Sequence, residues 1–369
     1  MRPPCALALV VFFLAALSGP APAQPADARA ADQVAAKPLF RDPVYDGAAD
    51  PTVIYHPADR KWYLFYTVRR ANVPGLNGVG WVHGTPIGIA TSGDGGAHWH
   101  YAGQATIRYA GAVADATWWA PAVVYHDGIY HMFLTYVPGT FSDGWNHPRD
   151  IIHLTSRDLF AWDYRSTLPL SSHKVIDPGI LHLPDGSWRL WYKDEANGSS
   201  THYADSPDLD HWTDGGRVPG LSDAAGEAPL PFHWKGYYWF LRDITGGAHG
   251  LALYRSDDAV GWRRVGTLLQ QPGTGPDDKV VGHHPDVILS GDRAYLFYFT
   301  HPGQASSGAD GADPRRSSLQ VVELAYDPSR QVLTADRDAP TRIGLRPPAD
   351  PETESKFADG RMPAGAGRE

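Results

Sequence analysis

The sequence predicts an all-β fold, a five-bladed β-propeller in which each blade is a four-stranded antiparallel sheet. Three observations support this prediction: a phrase led by proline returns five times, an aromatic strand follows each copy, and no long helical pattern separates the copies. The composition agrees, because 13 Trp and 18 Tyr favour strands. Two β-sandwich domains are the alternative architecture, but they give no reason for phrases that recur in phase.

The repeated phrase marks the first strand of each blade. Its copies are ADPTVIYH (49–56), WAPAVVYH (119–126), IDPGILHL (176–183), EAPLPFHW (227–234) and HHPDVILS (283–290). Their prolines lie roughly 50 to 70 residues apart, a quasi-period that fits one blade per copy. A turn and a second, aromatic strand follow each copy: KWYLFY, IYHMFLTY, SWRLWY, YYWFL and AYLFYF.

Third strands come next, and four of the repeats then end on a tryptophan. The third strands are IGIATS, IIHLTS, THYADS and LALYRS, and the tryptophans are Trp99, Trp162, Trp212 and Trp262. Because these indoles recur once per blade, we interpret them as wedges that pack between blades.

The N-terminus is typical of a secretory signal. Arg2, an apolar run over 6–17 and Ala21-Pro22-Ala23 predict cleavage near Ala23 and a secreted or periplasmic location. The only cysteine, Cys5, lies inside this segment, so a mature chain offers no thiol for a disulfide, a zinc site or a nucleophile. No membrane span is expected after cleavage.

The expected organisation has four parts. They are a signal peptide (1–23), a flexible N-terminal segment (24–40), a catalytic propeller (41–345) and a disordered C-terminal tail (346–369). The formal net charge of −9 argues against a nucleic-acid partner. The oligomeric state stays open at this point.

The residue before each repeated proline is expected to occupy an equivalent place around the channel. These residues are Asp50, Ala120, Asp177, Ala228 and His284. An apolar strand can begin with an acid here because the strand head opens on the wet mouth of the channel. The fourth copy shifts its acid by one, to Glu227. Three carboxylates from blades 1, 3 and 4 are therefore expected to meet at one end of the axis.

Three converging carboxylates suit the cleavage of a glycosidic bond with inversion. One carboxylate takes a proton from water while an opposing carboxylic acid protonates the leaving oxygen. A third acid beside the donor raises the donor's pKa by like-charge repulsion. Asp177 and Glu227 come from neighbouring blades, which makes Asp177 the modulator of Glu227 and leaves Asp50 as the base.

These phrases resemble the family 43 glycoside hydrolases, the arabinanase and xylosidase group. The resemblance rests on ADPTVIY, WWAPAVVYHDGIYHMFLTY, VIDPGIL, EAPLPFHWKGYYWFL and the His-led fifth strand, and it covers roughly residues 45–330. It implies that Asp50 is the general base, Asp177 the pKa modulator and Glu227 the general acid of an inverting hydrolase. It also implies a furanose or pyranose at the blind end of a channel, from an arabinofuranoside, xyloside or related plant or algal glycan.

The resemblance also implies a bound ion, and the sequence departs from the family's pattern at two places. Family members often hold a water-coordinated ion, commonly calcium, near the fifth-blade histidine, and His284 matches that place; no organic cofactor is expected. The usual Glu-Gly-Pro is here EAP (227–229), so the methyl of Ala228 narrows the space behind the acid. The usual Gly-His is His283-His284.

Several aromatic residues are candidates for binding a sugar. Trp118 and Trp119 begin the second blade, where inter-blade packing is an equal alternative. Trp81 and His83 lie in a long loop (69–86), and Trp145 lies with His147 in another (138–149).

Each catalytic candidate also has a structural interpretation, and other functions stay open. An Asp before Pro is often a turn residue, and His284 is equally a satisfied channel histidine.

The expected partner is an oligo- or polysaccharide. A non-catalytic sugar-binding propeller is one alternative, although it has no need of three axial acids. A phosphorylase needs cations near the base, and no strand head supplies one. The segment SGDGGAHW (92–99) fits a structural turn of sialidase propellers, but the strand heads lack the arginine triad of a sialidase.

Overall fold

The chain forms five successive β-sheets, and each sheet is built from consecutive strands. The computed structural model describes residues 32–221, 224–245, 250–304 and 314–348. The expected signal peptide (1–23) and nearly all of the expected tail (346–369) lie outside these ranges. The predicted five-bladed propeller is confirmed.

The strands are numbered in chain order. A short strand, β1 (Gln33–Val34), precedes blade 1, which contains β2 (Ala48–His56), β3 (Lys61–Val68), β4 (Ile87–Ser92) and β5 (His100–Gln104). Blade 2 contains β6 (Thr106–Arg108), β7 (Thr117–His126), β8 (Ile129–Val137), β9 (Asp150–Ser156) and β10 (Ala161–Thr167). Blade 3 contains β11 (Val175–His182), β12 (Trp188–Asp194), β13 (Ser200–Ser206) and β14 (Thr213–Arg217). Blade 4 contains β15 (Gly226–Trp234), β16 (Tyr237–Ile244), β17 (Leu251–Ser256) and β18 (Arg263–Leu268). Blade 5 contains β19 (His283–Ser290), β20 (Arg293–Thr300), β21 (Ser318–Asp327) and β22 (Val332–Ala335), and β23 (Arg342–Ile343) follows it.

Blade 2 differs from the predicted four strands because β6 pairs in parallel with β10 and adds a fifth strand. The helical segments in the described ranges are three short 3₁₀ turns, Gly80–Val82, Pro219–Leu221 and Pro302–Gln304. A search of the same ranges for a helix with the length and apolar character of a membrane span gives no candidate.

The innermost strands close a ring around a channel. Strands β2, β7, β11, β15 and β19 touch one another in that order, and β19 touches β2. Five apolar clusters fill the spaces between neighbouring blades. Most of each inner strand is therefore buried on both faces, which explains why these strands are continuously apolar and do not alternate.

The once-per-blade tryptophans pack between blades, as the sequence predicted. All four indoles are buried, and each belongs to a different inter-blade cluster. Trp162, for example, meets Phe65 of blade 1 edge to face, with ring centroids 5.7 Å apart. The Ser92–Asp94 pair of the sialidase-like turn recurs in the next three blades, so this turn is a structural element of the repeat. The later pairs are Ser156–Asp158, Ser206–Asp208 and Ser256–Asp258.

Each inner strand carries a β-bulge at the repeated proline. The pairing register with the second strand shifts there in all five blades. The residue before the proline has a positive φ in every blade: 54° at Asp50, 48° at Ala120, 58° at Asp177, 53° at Ala228 and 42° at His284. A bulge re-aims the side chain at that point, and backbone strain of this kind concentrates at functional sites. The repeated proline thus marks the place where the chain turns its strand heads toward the channel.

The segment 33–40 is ordered, in contrast to the predicted flexible segment 24–40. Strand β1 pairs antiparallel with β23, and Phe40 forms a bridge with Leu319 of blade 5. Leu39 and Phe40 are buried in the cluster between blades 1 and 5. The Ala- and Pro-rich composition concealed this role, because two buried side chains and a few backbone hydrogen bonds are enough to dock a short segment.

A pair of histidines, one fully buried and one half-buried, predicts loss of stability in acid. His131 Nδ1 and His153 Nε2 lie 2.8 Å apart in blade 2. Burial lowers the pKa of His131 to about 4 and that of His153 to about 3, from an ordinary value of 6.5. The unfolded chain therefore binds more protons below pH 6.5, so the stability that the neutral pair contributes is present above this pH and falls as the pH drops toward 4. We expect a loss of about 2 kcal/mol or more in urea denaturation across this window.

The double variant His131→Gln/His153→Gln isolates this contribution. Its free energy of unfolding should depend less steeply on pH between 6.5 and 4 than that of the wild type, whatever its absolute stability. His100→Gln, an exposed site, serves as the control and should keep the wild-type slope. An unchanged slope in the double variant would contradict the prediction.

Candidate active site

The strand heads of blades 1, 3 and 4 open into one cavity of about 450 Å³. Asp50, Asp177 and Glu227 all line it, so the three carboxylates expected to meet do share one space. Ala228 sits at the bulge position of blade 4 and Glu227 comes one residue earlier, as the sequence indicated. The volume is in the range of small-ligand pockets.

Asp50 is held by two neighbours from different elements. The Arg69 Nη2 group donates to both carboxylate oxygens, at 3.1 and 3.4 Å. His284 Nδ1 lies 3.4 Å from Oδ1 of the same carboxylate. Arg69 is itself fixed, because its Nη1 donates to His301 Nε2 at 2.9 Å and its guanidinium lies 4.6 Å from the centre of the Phe299 ring. Asp50 is thus an oriented carboxylate.

Asp177 and Glu227 form the opposite side of the cavity. Asp177 is nearly fully buried, at 6% exposure, and its Oδ2 accepts a hydrogen bond from the Ala228 amide at 3.1 Å. The Glu227 side chain is 35% exposed, and its Oε2 accepts a hydrogen bond from Lys193 Nζ at 2.8 Å. Of the two, Glu227 is the one that presents its carboxylate to a ligand.

The pKa shifts at this pair run opposite to the expected ones. Burial raises the pKa of Asp177 to about 7, and the Glu227 carboxylate adds to the rise while His284 opposes it. Burial also acts to raise the pKa of Glu227, but the charge and hydrogen bond of Lys193 outweigh it and the pKa is lowered. The sequence predicts that Glu227 carries the proton, whereas the substrate-free cavity favours the proton on Asp177. The cause is Lys193, which lies on the second strand of blade 3 and not at a strand head.

A fourth carboxylate, Asp243, also lines the cavity. It stands opposite Glu227 in the pairing of β15 with β16, and its Oδ2 lies 2.8 Å from His283 Nδ1. Burial raises the pKa of Asp243, against the opposing effect of His283. Burial acts to lower the pKa of His283, but the charge and hydrogen bond of Asp243 together with the charge of Glu227 outweigh it, so the net shift is upward. His283, unassigned from the sequence, is therefore the partner of Asp243.

Three of the predicted aromatic residues form walls of the cavity. Trp81, Trp119 and Trp145 all line it. Trp119 is fixed by a hydrogen bond from its Nε1 to the carbonyl oxygen of Val82, at 2.6 Å. Trp145 is 54% exposed, and its ring centroid lies 6.2 Å from that of Trp119. Indole faces at a cavity mouth can stack on the apolar face of a sugar ring.

Two predicted sugar-binding residues lie away from the cavity lining. The Trp118 ring packs on Tyr136 in the cluster between blades 1 and 2, with centroids 5.1 Å apart. His83 is fully buried behind Trp119, with ring centroids 5.0 Å apart. Burial lowers the pKa of His83 to about 4. Alternation along β7 explains the first difference, because Trp118 and Trp119 point to opposite faces of the sheet.

Cationic side chains also line the cavity, although none lies at a strand head. Arg69, Arg149 and Lys193 all do so, so the cavity contains cations although its strand heads supply none. Each is engaged by an acid: Arg69 by Asp50, and both Arg149 and Lys193 by Glu195. The cavity is therefore lined by paired charges of both signs.

His284 is the residue that the resemblance assigns to an ion. Within the described ranges, no group of three or more His, Asp or Glu side chains is arranged to hold one metal ion. Calcium takes about six to eight oxygen ligands, whereas Asp50 is held by Arg69 and Glu227 by Lys193. These residues do not supply a direct calcium site, and an ion held through water stays a prediction.

Solved structures share this architecture. A thermostable family 43 glycoside hydrolase matches with a TM-score of 0.60 and 17% identity over 84% of this chain and 100% of its own. A family 43 β-xylosidase/α-arabinofuranosidase from a compost metagenome, solved with xylotriose, matches with a TM-score of 0.56 and 15% identity over 79% and 94%. A family 117 glycoside hydrolase from the marine bacterium Zobellia galactanivorans matches with a TM-score of 0.57 and 16% identity over 77% and 86%.

Neither a protein-family model nor a curated relative matches this sequence. The structural neighbours are glycoside hydrolases with the same five-bladed fold. One propeller scaffold hosts many activities, so the reaction has to be argued from the site.

Proposed function

We propose that this chain is a glycoside hydrolase that cleaves its substrate with inversion of the anomeric configuration. The observation that carries the proposal is the convergence of Asp50, Asp177 and Glu227 from three blades on one cavity. Blades 1 and 4 are not neighbours in the ring, so Asp50 and Glu227 can stand on either side of a bound glycosidic bond. Inversion needs that arrangement, with room for a water between the two groups.

In this mechanism the two sides of the cavity have separate tasks. Asp50, oriented by Arg69, takes a proton from the water whose oxygen attacks the anomeric carbon. As the bond to the leaving group breaks, Glu227 gives its proton to the leaving oxygen. At neutral pH the pair holds a proton on Asp177, whose pKa is about 7, and this proton passes to Glu227 when the substrate binds. Solvent then restores both groups.

The substrate class and location belong to the same proposal. A neutral pentoside or hexoside, such as an arabinofuranoside or xyloside of a plant or algal glycan, suits a cavity with tryptophan walls and paired charges. One of the structural neighbours is named as a β-xylosidase/α-arabinofuranosidase. We further propose export, on the strength of the signal-like segment 1–23.

Three alternatives are less well supported. A sugar-binding protein gains nothing from the five buried or half-buried acids among the described residues that line the cavity, since each costs desolvation. In a phosphorylase, phosphate has to displace Asp50 from Arg69 or Glu227 from Lys193 before it meets a free cation. A sialidase-type enzyme uses a tyrosine nucleophile, and the described residues that line the cavity include no tyrosine.

The anomer formed first tests the proposal. The chain is incubated with aryl α-L-arabinofuranosides, β-D-xylosides and β-D-galactosides, and the sugar released is followed by proton NMR before it mutarotates. We expect the anomer opposite to that of the substrate. Product of retained configuration, or no release from any glycoside in the panel, contradicts the proposal. Formation of a sugar phosphate when inorganic phosphate is added supports a phosphorylase instead.

A further inference from the structure

The second strand of blade 3 departs from the pattern of blades 1 and 2. In the pairing registers, Thr67, Thr135 and Lys193 occupy equivalent places beside the bulge. The two threonine hydroxyls accept a hydrogen bond from the bulge amide of the following blade, at 2.9 and 3.0 Å. In blade 3 the Asp177 carboxylate accepts that bond from Ala228 instead. Lys193 is thereby free of the backbone role and reaches the cavity.

Lys193 is locked between two carboxylates. Its side chain is 7% exposed, and its Nζ lies 2.8 Å from Glu227 Oε2 and 2.9 Å from Glu195 Oε1. Glu195 also pairs with Arg149, which is buried against the cavity wall near Trp119. Arg149, Glu195, Lys193 and Glu227 thus form a row of alternating charges from the wall to the carboxylate.

We propose that Lys193, held by Glu195, positions the Glu227 carboxylate and controls how it gains and loses its proton. The catalytic part of this inference rests on the proposed function, in which Glu227 is the proton donor. Lys193 acts through Glu227 and is a positioning residue. Among the described Lys and Arg side chains that line the cavity, it is the one bonded to that carboxylate.

The electrostatics of the cavity support this role. The charged and titratable groups that act on Glu227 or respond to it are Lys193, His284, Arg69, Asp177, Asp243 and His283. Burial raises the pKa of Glu227, and Lys193 is the largest opposing effect. Burial likewise lowers the pKa of Lys193, but the two carboxylates raise it overall, so the lysine stays charged.

Two substitutions should shift the pKa of Glu227 in opposite directions. Lys193→Met removes the positive charge, and the pKa of Glu227 should rise by about one unit or more. Glu195→Gln removes a nearby negative charge and leaves Lys193 with Glu227 alone, so the pKa should fall. Lys193→Arg should stay close to the wild type. A residue that merely supports the fold does not produce shifts of opposite sign.

Carbon NMR of the glutamate carboxyl groups measures these shifts without any substrate. The sequence contains six glutamates, so selective labelling gives a simple spectrum, and the missing signal in Glu227→Gln assigns the resonance. Lys235→Met, at the far end of the same blade, is the control and should leave the titration unchanged. If Lys193→Met does not fold, Glu195→Gln still decides the question: a lower pKa of Glu227 supports the inference, and an unchanged pKa overturns it.

Measurements of activity distinguish a failure of this inference from a failure of the proposed function. If the enzyme is active, the basic limb of its kcat/KM profile against pH should move to higher pH in Lys193→Met and to lower pH in Glu195→Gln. A Glu227 titration that is unmoved in both variants overturns the inference even if the wild type hydrolyses glycosides. Opposite shifts in NMR without any glycosidase activity support the control by Lys193 and overturn the proposed function alone.

Discussion

Asp50→Ala is expected to lower kcat/KM by about a thousandfold on every glycoside that the wild type hydrolyses. The loss should not depend on the leaving group, because the missing carboxylate acts on the attacking water. The backbone should tolerate the change: the equivalent bulge positions in blades 2 and 4 are Ala120 and Ala228, with φ values of 48° and 53° against 54° at Asp50. The measurement is steady-state kinetics on aryl glycosides with good and poor leaving groups.

Azide should rescue this variant. Removal of Asp50 leaves a small space beside Arg69 and His284, and both groups can attract an anion. Azide then attacks the anomeric carbon directly, the bond to the leaving oxygen breaks, and that oxygen takes the proton of Glu227. The product is a glycosyl azide of inverted configuration. A glycosyl azide of retained configuration, or activity close to that of the wild type without azide, contradicts the assignment of Asp50 as base.

Asp286→Asn is the matched control for a structural acid. Asp286 is a buried carboxylate of blade 5 whose Oδ2 accepts the Val53 amide at 2.8 Å, and it does not line the cavity. Its substitution should lower the stability of the protein because an inter-blade hydrogen bond weakens. The kcat of the folded fraction should stay near the wild-type value, and azide should have no effect.

The propeller could be predicted from the sequence because each repeat carries a proline at the same position of its first strand. The proline of each copy locates a bulge, and the residue before it adopts a positive φ in all five blades. That regularity allowed Asp50, Asp177 and Glu227 to be placed in one cavity from spacing alone. The fifth strand of blade 2 could not be predicted in this way, because β6 is three residues long and pairs with β10, which lies more than fifty residues further along the chain.

The partners of the acids were harder to predict because they lie on second strands. Lys193 and Asp243 are the second-last residues of the aromatic strands of blades 3 and 4, opposite the bulges. A signal was present: the aligned places hold Thr67 and Thr135 in blades 1 and 2, so a charged residue there breaks the repeat. What the alignment could not supply was the sign of the effect on Glu227, which depends on a 2.8 Å contact set by side-chain conformation.

The aromatic residues show the same limit. Trp118 and Trp119 are adjacent in sequence, and only the orientation of β7 decides that Trp119 lines the cavity while Trp118 packs on Tyr136. The loop that carries Trp81 and His83 separates them similarly, with Trp81 on the cavity wall and His83 buried behind Trp119. Loop position indicates proximity to a site, but it does not determine which side chain faces it.

The loss of kcat/KM in Glu227→Gln should depend on the leaving group of the substrate. On glycosides with poor leaving groups, such as an alkyl alcohol or a second sugar, kcat/KM should fall by about a hundredfold to ten-thousandfold, because the departing oxygen has no proton donor. On dinitrophenyl glycosides, whose leaving group departs as an anion, it should stay within about tenfold of the wild type. The amide oxygen of glutamine can still accept the bond from Lys193, so the cavity should keep its shape.

Two controls decide whether Glu227 itself delivers the proton. Glu323→Gln changes an acid that pairs with Arg293 on blade 5, outside the cavity, and should leave both classes of substrate unaffected. Asp177→Asn tests the neighbour with the raised pKa: as a modulator, Asp177 should mainly displace the basic limb of the pH profile when it is replaced. If Asp177→Asn instead gives the leaving-group dependence while Glu227→Gln lowers all rates equally, the two residues exchange roles. In that case the buried carboxylate, which carries the proton in the substrate-free cavity, is also the group that donates it.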